Sequence, residues 1–300
     1  MTSKLKAKAP ELTQPGKTKA CIFGPSGSGK TWFTLSFPVP YYIDTEGGAD
    51  LRHYQERLKA AGGVYLGPQE GALDFDTILG EMEKLATEQH PYKTLIIDSI
   101  TKVYQAAISN ESQRLGDKDV FGASKKEPIK MMRRLCNWAM RLDMNIWFVA
   151  HETAEWGLIN GQRTEIGKCA DVWDKLVYEL DLTLQLTKRG PSRIACVRKS
   201  RLLGFPDGES FPTEKDAEDV GYAEFAKRYG KDFIEGPTQT ITLAAPDQVS
   251  EIVRLLTVVK TSEADIEKVL TRASADSWAE LTDAQAAATI KWLTGKLNKT

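Results

Sequence analysis

An α/β fold is what this sequence predicts: a mostly parallel sheet flanked by helices, with a small helical unit at the carboxyl end. Three observations carry that reading. Short apolar runs at residues 19–23, 41–46, 92–99 and 145–150 end in glycine or a polar residue and alternate with helical stretches, the pattern of buried parallel strands. The first run leads into Gly24-Pro25-Ser26-Gly27-Ser28-Gly29-Lys30-Thr31, which reads G-x-x-x-x-G-K-T, and then into Trp32-Phe33-Thr34-Leu35-Ser36, which can continue a helix. From Pro246 onward the apolar periodicity is helical only.

Strand, Gly-rich loop and helix in that order are the context of a phosphate-binding P-loop. A triphosphate crowds several negative charges together. Glycines let successive backbone N–H groups converge on it without Cβ clashes. The helix that follows offers unpaired N–H groups and the positive end of its dipole. Lys30 supplies a mobile positive charge for the β and γ oxygens, and the Thr31 hydroxyl suits the shell of a Mg²⁺ ion. Gly24 through Thr31 are therefore the expected ATP-binding residues. The alternative, an ordinary Gly/Ser turn, leaves the flanking strand and helix unexplained.

The bulk numbers bound the rest. A chain of 300 residues accommodates a core domain of about 200 plus a smaller unit. Hydrophobic content of 41% and charged content of 27% are those of a water-soluble globular protein. A net charge of -1 excludes a globally basic protein and leaves room for local basic patches. Cys21, Cys136, Cys169 and Cys196 are scattered, with no C-x-x-C pair, and the histidines add no metal-site spacing. Buried free thiols in a reducing cytoplasm are expected. No apolar run approaches the roughly 18 residues of a membrane span. The lysine-rich N-terminus lacks the apolar stretch of a signal peptide, so no membrane association is expected.

Taken in order, residues 1–16 hold Lys4, Lys6, Lys8, Pro10 and Pro15 and read as a flexible basic arm, either touching nucleic acid or merely solvated. Pro38 and Pro40 break the helix after the P-loop. In Tyr41-Tyr42-Ile43-Asp44-Thr45-Glu46, period two places Asp44 and Glu46 on one face at the strand's end, where ligands of open α/β sheets bind. Both are catalytic candidates, and Asp44 equally suits capping the next helix. Residues 49–62 read as a helix, 64–66 as a short strand, and 75–90 as a helix with Phe75, Ile78, Leu79, Met82 and Leu85 on one side. Leu95-Ile96-Ile97-Asp98 is a Walker B pattern, a buried strand whose terminal carboxylate faces the Mg²⁺ shell. Many ATPases place glutamate directly after that aspartate to activate water. Here Ser99 stands there, so the base must come from elsewhere, and Glu46 is the best-placed carboxylate.

Residues 100–142 are mostly helical, interrupted over 115–128 by a polar segment with Lys118, Phe121, Lys125 and Lys126. The strand at 145–150 ends at His151-Glu152. His151 there either senses the γ-phosphate or is a structural hydrogen-bonding group. Residues 152–169, with Trp156, Arg163 and Lys168, read as a long functional loop or, through Ile159-Asn160-Gly161-Gln162, as a small hairpin. Two alternating segments, 180–186 and 193–197, flank a hairpin turn at Lys188-Arg189-Gly190-Pro191 and run into Arg198-Lys199-Ser200-Arg201. That basic strand end is a cation set for a neighbour's ATP, part of a DNA track, or a solvated end. Residues 204–245 shift in composition and form a connecting segment packed on the core, with Tyr222, Phe225, Tyr229 and Phe233 at helical spacing as core packing. In 246–300, Ser262 with Asp265 and Thr282 with Gln285 read as helix-starting capping boxes. So short a unit is a marginal core, suited to partner or DNA contact or to a lid.

These motifs, in this order over residues 18–203, resemble the RecA recombinase core, and in particular the small phage-encoded RecA-like ATPases that work beside single-strand annealing proteins. The resemblance implies a RecA-like P-loop NTPase core at 17–203, ATP and Mg²⁺ as cofactors, and Thr31 and Asp98 as metal-shell residues. In that family the glutamate of the I-D-x-E strand activates water, in agreement with the choice of Glu46. The polar residue ending the 145–150 strand senses nucleotide state, here His151 where RecA carries glutamine. Lys199 and Arg201 stand where RecA has two lysines that reach the adjacent subunit's ATP. The family's two DNA-binding loops fall by position at about 111–126 and 152–169, which makes Lys118, Lys125, Lys126, Trp156, Arg163 and Lys168 DNA-contact candidates. The expected protein is a DNA-stimulated ATPase that binds single-stranded DNA, assembles head to tail as a ring or filament, and promotes annealing or strand exchange. It is expected in the cytoplasm, that of a bacterial host if phage-encoded. A single-strand-binding or annealing protein is the expected partner of its C-terminal helices. Two other functions share these motifs: a helicase or helicase loader, and a protein-binding module that uses ATP only as a switch.

Overall fold

The computed structural model describes residues 16–190, 192–216 and 218–297. The expected basic arm lies, apart from Gly16, outside the described residues. The first half of the chain holds β1 (Lys19–Phe23), α1 (Lys30–Thr34), β2 (Pro40–Asp44), α2 (Arg52–Ala60), β3 (Val64–Leu66), α3 (Phe75–Thr87), β4 (Thr94–Asp98), α4 (Ile100–Leu115), α5 (Lys126–Arg141) and β5 (Asn145–Ala150). There follow β6 (Glu152–Ile159), β7 (Gln162–Ala170), α6 (Leu176–Glu179), β8 (Leu182–Arg189), β9 (Ser192–Ser200), β10 (Ser210–Lys215), β11 (Glu218–Asp219), α7 (Gly221–Tyr229) and α8 (Lys231–Glu235). The helical unit comprises α9 (Pro246–Val259), α10 (Glu263–Ala273) and α11 (Asp283–Leu297).

Among the described residues, nine strands form one sheet in the order β11-β10-β9-β8-β1-β5-β4-β2-β3. From β8 to β3 every pair runs parallel, and β9, β10 and β11 extend the sheet by antiparallel pairing. The expected α/β class, with a mostly parallel sheet flanked by helices, is what the structure has. Strand β5 lies between the P-loop strand β1 and the Walker B strand β4. Strands β10 and β11 go beyond the sequence reading. The segment Ser210-Phe211-Pro212-Thr213-Glu214-Lys215 carries a proline and charges and looks like a linker, yet it pairs with β9 and buries Phe211 and Thr213.

Alternation along the central strands feeds two cores. Cys21 and Phe23 of β1 join Leu95, Ile97, Ile146 and Phe148 beneath α3, α4 and α5. Ala20 and Ile22 join Ile96, Trp147 and Val149 on the other face, with α1 and α7. That second core is aromatic. The Phe37 ring centroid lies 4.9 Å from that of Trp147 and 5.1 Å from that of Phe225, and each such ring contributes about 2–3 kcal/mol on burial. Anchored on both faces, the strand ends present their loops at fixed positions.

The C-terminal helices enclose a small core of Ile252, Leu255, Leu281, Ala286 and Leu293. The Ser262 hydroxyl accepts from the Asp265 N–H at 3.2 Å, and Thr282 and Gln285 exchange hydrogen bonds at 2.9 and 3.3 Å. Arg134 on α5 meets the buried Glu280 at 2.6 Å and ties this unit to the sheet domain. Among the described residues no helix is long and apolar enough to cross a membrane.

Candidate active site

Strands β1, β2, β4 and β5 end at Phe23, Asp44, Asp98 and Ala150, so the loops that follow share the carboxyl edge of the sheet. The chain leaves β1 through Gly24. A Cβ there would lie 2.2 Å from the carbonyl oxygen of Leu186 on β8, so only glycine fits. Gly29, with φ 94, caps α1 in left-handed backbone. Lys30 opens α1, and its Nζ donates to the carbonyl oxygens of Gly24 and Pro25 at 2.8 and 3.1 Å. Burial pulls the Lys30 pKa down, opposed by the charges of Asp98, Glu46 and Glu152. The Ser28 hydroxyl is buried without a hydrogen-bond partner among the described residues. Such a group costs about 1–3 kcal/mol unless a ligand meets it, and it sits in the phosphate cradle.

Thr31 Oγ1 donates to Asp98 Oδ2 at 2.5 Å. Burial pushes the Asp98 pKa up to about 6, and the charges of Glu46 and Asp44 add to the rise while Thr31 and Lys30 oppose it. A hydroxyl paired with a buried carboxylate, near two further carboxylates, fits Mg²⁺, which takes one or two protein oxygens and fills its shell with phosphate and water.

Asp44 and Glu46 have different roles. Asp44 is buried and accepts the N–H groups of Glu46 and Ala49 at 3.1 and 2.6 Å, so it caps the turn after β2, the second of the roles the sequence allows. Glu46 is half exposed, and its Oε1 accepts from the Ser99 hydroxyl at 2.9 Å and faces His151 Nε2 at 2.6 Å. Burial raises the Glu46 pKa, but hydrogen bonds from Ser99 and His151 and the charges of His151 and Lys102 outweigh it and hold the carboxylate below its usual value. Glu46 is thus ionised at neutral pH and equipped to accept a proton.

Beyond Gly29 opens a cavity of about 450 Å³, walled by Trp32 of α1, His53 and Tyr54 of α2, Arg193 of β9, and Thr213 and Glu214 of β10. The His53 and Tyr54 rings lie 4.2 Å apart, each 6.2 Å from Trp32. Among the described residues, the Thr213 hydroxyl and Arg193 Nε are buried there without partners. Arg57 stacks 4.0 Å over Trp32 and pairs with Asp219, tying α2 to β11 at the rim. Aromatic walls with unpaired polar atoms, adjoining a phosphate cradle, suit a base and its sugar. Sequence reasoning missed this set. Only Trp32, next to the P-loop, carries a positional signal.

The segment after His151 is a hairpin, the second of the two readings the sequence allows. Strands β6 and β7 pair around Asn160 and Gly161, at φ 51 and 79, the left-handed pair a tight two-residue turn requires. Trp156 is 52% exposed, and the Arg163 guanidinium lies 4.8 Å over its ring. Lys168 pairs with Glu165 at 2.6 Å. Lys118 and Lys125 lie in short 3-10 turns between α4 and α5, and Lys126 opens α5. Between them Phe121 stands fully exposed with φ 55. The structure thus brings Glu46, Asp98, Ser99 and His151 together beside the P-loop, but not Lys199 and Arg201. Strand β9 runs antiparallel, and these two residues donate to the carbonyl oxygens of Leu180 and Tyr178, in the segment entering β8 from the amino edge.

A glycine cradle, a buried aspartate two strand positions away and an ionised glutamate beside it define a P-loop ATPase domain. The chain belongs to the AAA domain family, which matches residues 16–213. Among solved structures, the crystal structure of the RadB recombinase aligns at 18% identity with a TM-score of 0.44, over 66% of this chain and 87% of that one. No curated protein matches the chain.

Proposed function

We propose that the protein is an ATP-dependent, single-stranded-DNA-binding recombinase of the kind phages encode, promoting annealing or strand exchange. The observation that supports it most is continuity of the chain. Strand β5 delivers His151 to within 2.6 Å of Glu46, and the next residue begins a hairpin with an exposed tryptophan under an arginine. Aromatic rings paired with cations are what single strands stack on.

In this reading the loop amides and Lys30 hold the phosphates, and the aromatic cavity seats adenine and ribose. Thr31 and Asp98 would hold Mg²⁺, which when bound would neutralise charge on the phosphates. Glu46 takes a proton from the water whose oxygen bonds to the γ-phosphorus. The bond from that phosphorus to the bridging oxygen breaks, and ADP leaves with the electron pair. Lys199 and Arg201 serve the next subunit's site in a head-to-tail ring or filament. Lys118, Lys125, Lys126, Trp156, Arg163 and Lys168 contact the strand, and the C-terminal helices receive a single-strand-binding or annealing protein.

ATP turnover measured with and without single-stranded DNA, at two salt concentrations, tests the proposal. Stimulation that weakens with salt is expected. Turnover indifferent to DNA sinks the DNA-binding part and leaves the nucleotide-switched module. ATP-driven unwinding of a forked duplex replaces the recombinase with a helicase or helicase loader.

A further inference from the structure

Ser99 occupies the position where many ATPases carry their water-activating glutamate. It is fully buried, and its surroundings are built. Its N–H donates to Thr45 Oγ1 at 2.7 Å, Thr45 Oγ1 donates to the Ser99 carbonyl oxygen at 3.2 Å, and the Thr45 N–H donates to the Asp98 carbonyl oxygen at 2.7 Å. These bonds lock the end of β4 to the end of β2, one residue before Glu46. The Ser99 hydroxyl then donates to Glu46 Oε1 at 2.9 Å, while His151 Nε2 approaches the same oxygen at 2.6 Å and the hydroxyl at 3.3 Å. Both contacts fall on Oε1.

A glutamate carries three rotatable bonds, and a half-exposed one ordinarily samples several rotamers. Two contacts on one oxygen fix the carboxylate and leave its second oxygen, Oε2, for a water. We infer that Ser99 is a positioning residue for hydrolysis: with His151 it pins Glu46 by one oxygen so that the other meets the attacking water. The inference rests on the reading of Glu46 as the base. Ser99 thus stands in, through a hydrogen bond, for the glutamate that other ATPases carry at its position.

Ser99 also caps α4, accepting the Lys102 N–H at 3.3 Å, so a purely structural role must be separable. A cap predicts lost thermal stability and ordinary turnover by the folded fraction. A positioning role predicts a selective loss of kcat. Ser99→Ala should lower kcat roughly 10- to 100-fold, the scale of a hydrogen bond to a charged group, with KM and ATP-analogue affinity unchanged. Ser99→Thr, which keeps the hydroxyl, should recover most of it. If Ser99→Ala melts near assay temperature, Ser99→Cys keeps the shape with a weaker donor and should show the same kcat loss. In single-turnover assays, Ser99→Ala added to Glu46→Gln should cost nothing further, because the group it positions is gone. Losses that multiply in the double variant, or normal kcat in both Ser99→Ala and Ser99→Cys beside an impaired Glu46→Gln, overturn the inference alone. Full turnover in Glu46→Gln overturns the base assignment beneath it.

Discussion

Replacing Glu46 with glutamine keeps the side chain's shape and removes its capacity to take a proton. The amide oxygen can still accept from the Ser99 hydroxyl, so the 2.9 Å contact survives. Removing a general base costs about 10²–10⁴ in rate, or roughly 3–5 kcal/mol of barrier. Nucleotide affinity should hold. The charge of Glu46 helps raise the Asp98 pKa, so its removal favours ionised Asp98 and leaves the magnesium shell at least as strong. The same charge supports protonated Lys30, but Asp98 and Glu152 remain to do so. The assay pairs steady-state phosphate release with equilibrium binding of a fluorescent ATP analogue. Turnover below about a hundredth of wild type with Kd within about threefold is expected. Turnover within threefold of wild type refutes the reasoning, and affinity lost together with turnover assigns Glu46 to binding instead.

Asp98→Asn removes a charge buried beside Asp44 and Glu46. Because the folded pKa is raised to about 6, the penalty on the ionised form is fully present above that pH. The nucleotide-free variant should therefore be stabilised by up to about 3 kcal/mol at pH 7.5 while magnesium-dependent turnover falls by more than about a hundredfold, as thermal melts and phosphate release will report. Lys19 is wholly buried, and its ammonium donates to the carbonyl oxygens of Leu142 and Met144 at 2.5 and 2.8 Å. Burial draws its pKa down to about 7 against about 10.4 when unfolded. The folded chain binds fewer protons across that window, so stability rises with pH between about 7 and 10. Lys19→Met should flatten the rise in urea titrations at pH 7 and 9, and an unchanged slope defeats the account. Trp156→Ala should weaken single-stranded DNA binding by about 1–3 kcal/mol without altering its salt dependence. Arg163→Ala should reduce the salt slope by about one, and fluorescence anisotropy at graded salt separates the two.

Much of the site is legible in the sequence where the chemistry leaves no freedom. A side chain at Gly24 would strike the Leu186 carbonyl, so that glycine is visible as a requirement before any fold is known. Asp98 ends a fully buried strand; many strands end in aspartate, and it is the distance after a complete P-loop that gives this one its meaning. Glu46 emerges by elimination, from Ser99 in the usual glutamate position. The base-sized cavity is invisible for the opposite reason. Arg193, Thr213 and Asp219 meet only because β9, β10 and β11 add to the sheet by antiparallel pairing, and long-range register leaves little local trace. In β10, Pro212 and the charged end disguise a strand whose buried residues are only Phe211 and Thr213. The hairpin at 152–170 is ambiguous because both faces are largely solvated, which erases the alternation that marks a half-buried strand. Its Asn160-Gly161 turn is the one signal left.

The position of Arg201 carries a consequence for assembly. A cation that stabilises charge on a transferring phosphoryl group must come within hydrogen-bond reach of it. The length of β1, roughly 15 Å, separates the amino edge, where Arg201 donates to the Tyr178 carbonyl oxygen at 2.5 Å, from the P-loop of the same chain. Arg201 therefore acts on a neighbour's phosphates or on none. The first case needs the amino edge of one subunit against the carboxyl edge of the next, a heterologous contact that closes into a ring or grows as a filament. Its present bond does not forbid this. Besides the Tyr178 carbonyl oxygen, Arg201 faces Asp181 at 4.0 Å; an exposed ion pair is worth about 0–1 kcal/mol, whereas a phosphate offers the guanidinium two charge-assisted bonds at once, so a neighbour's nucleotide would displace these contacts. Wild-type specific activity should then climb with protein concentration, while Arg201→Ala stays low and flat. Arg201→Ala mixed with Lys30→Ala should regain part of the lost turnover, because one variant keeps the phosphate cradle and the other keeps the cation. Concentration-independent wild-type turnover, or no recovery at any mixing ratio, ends the case for a shared site.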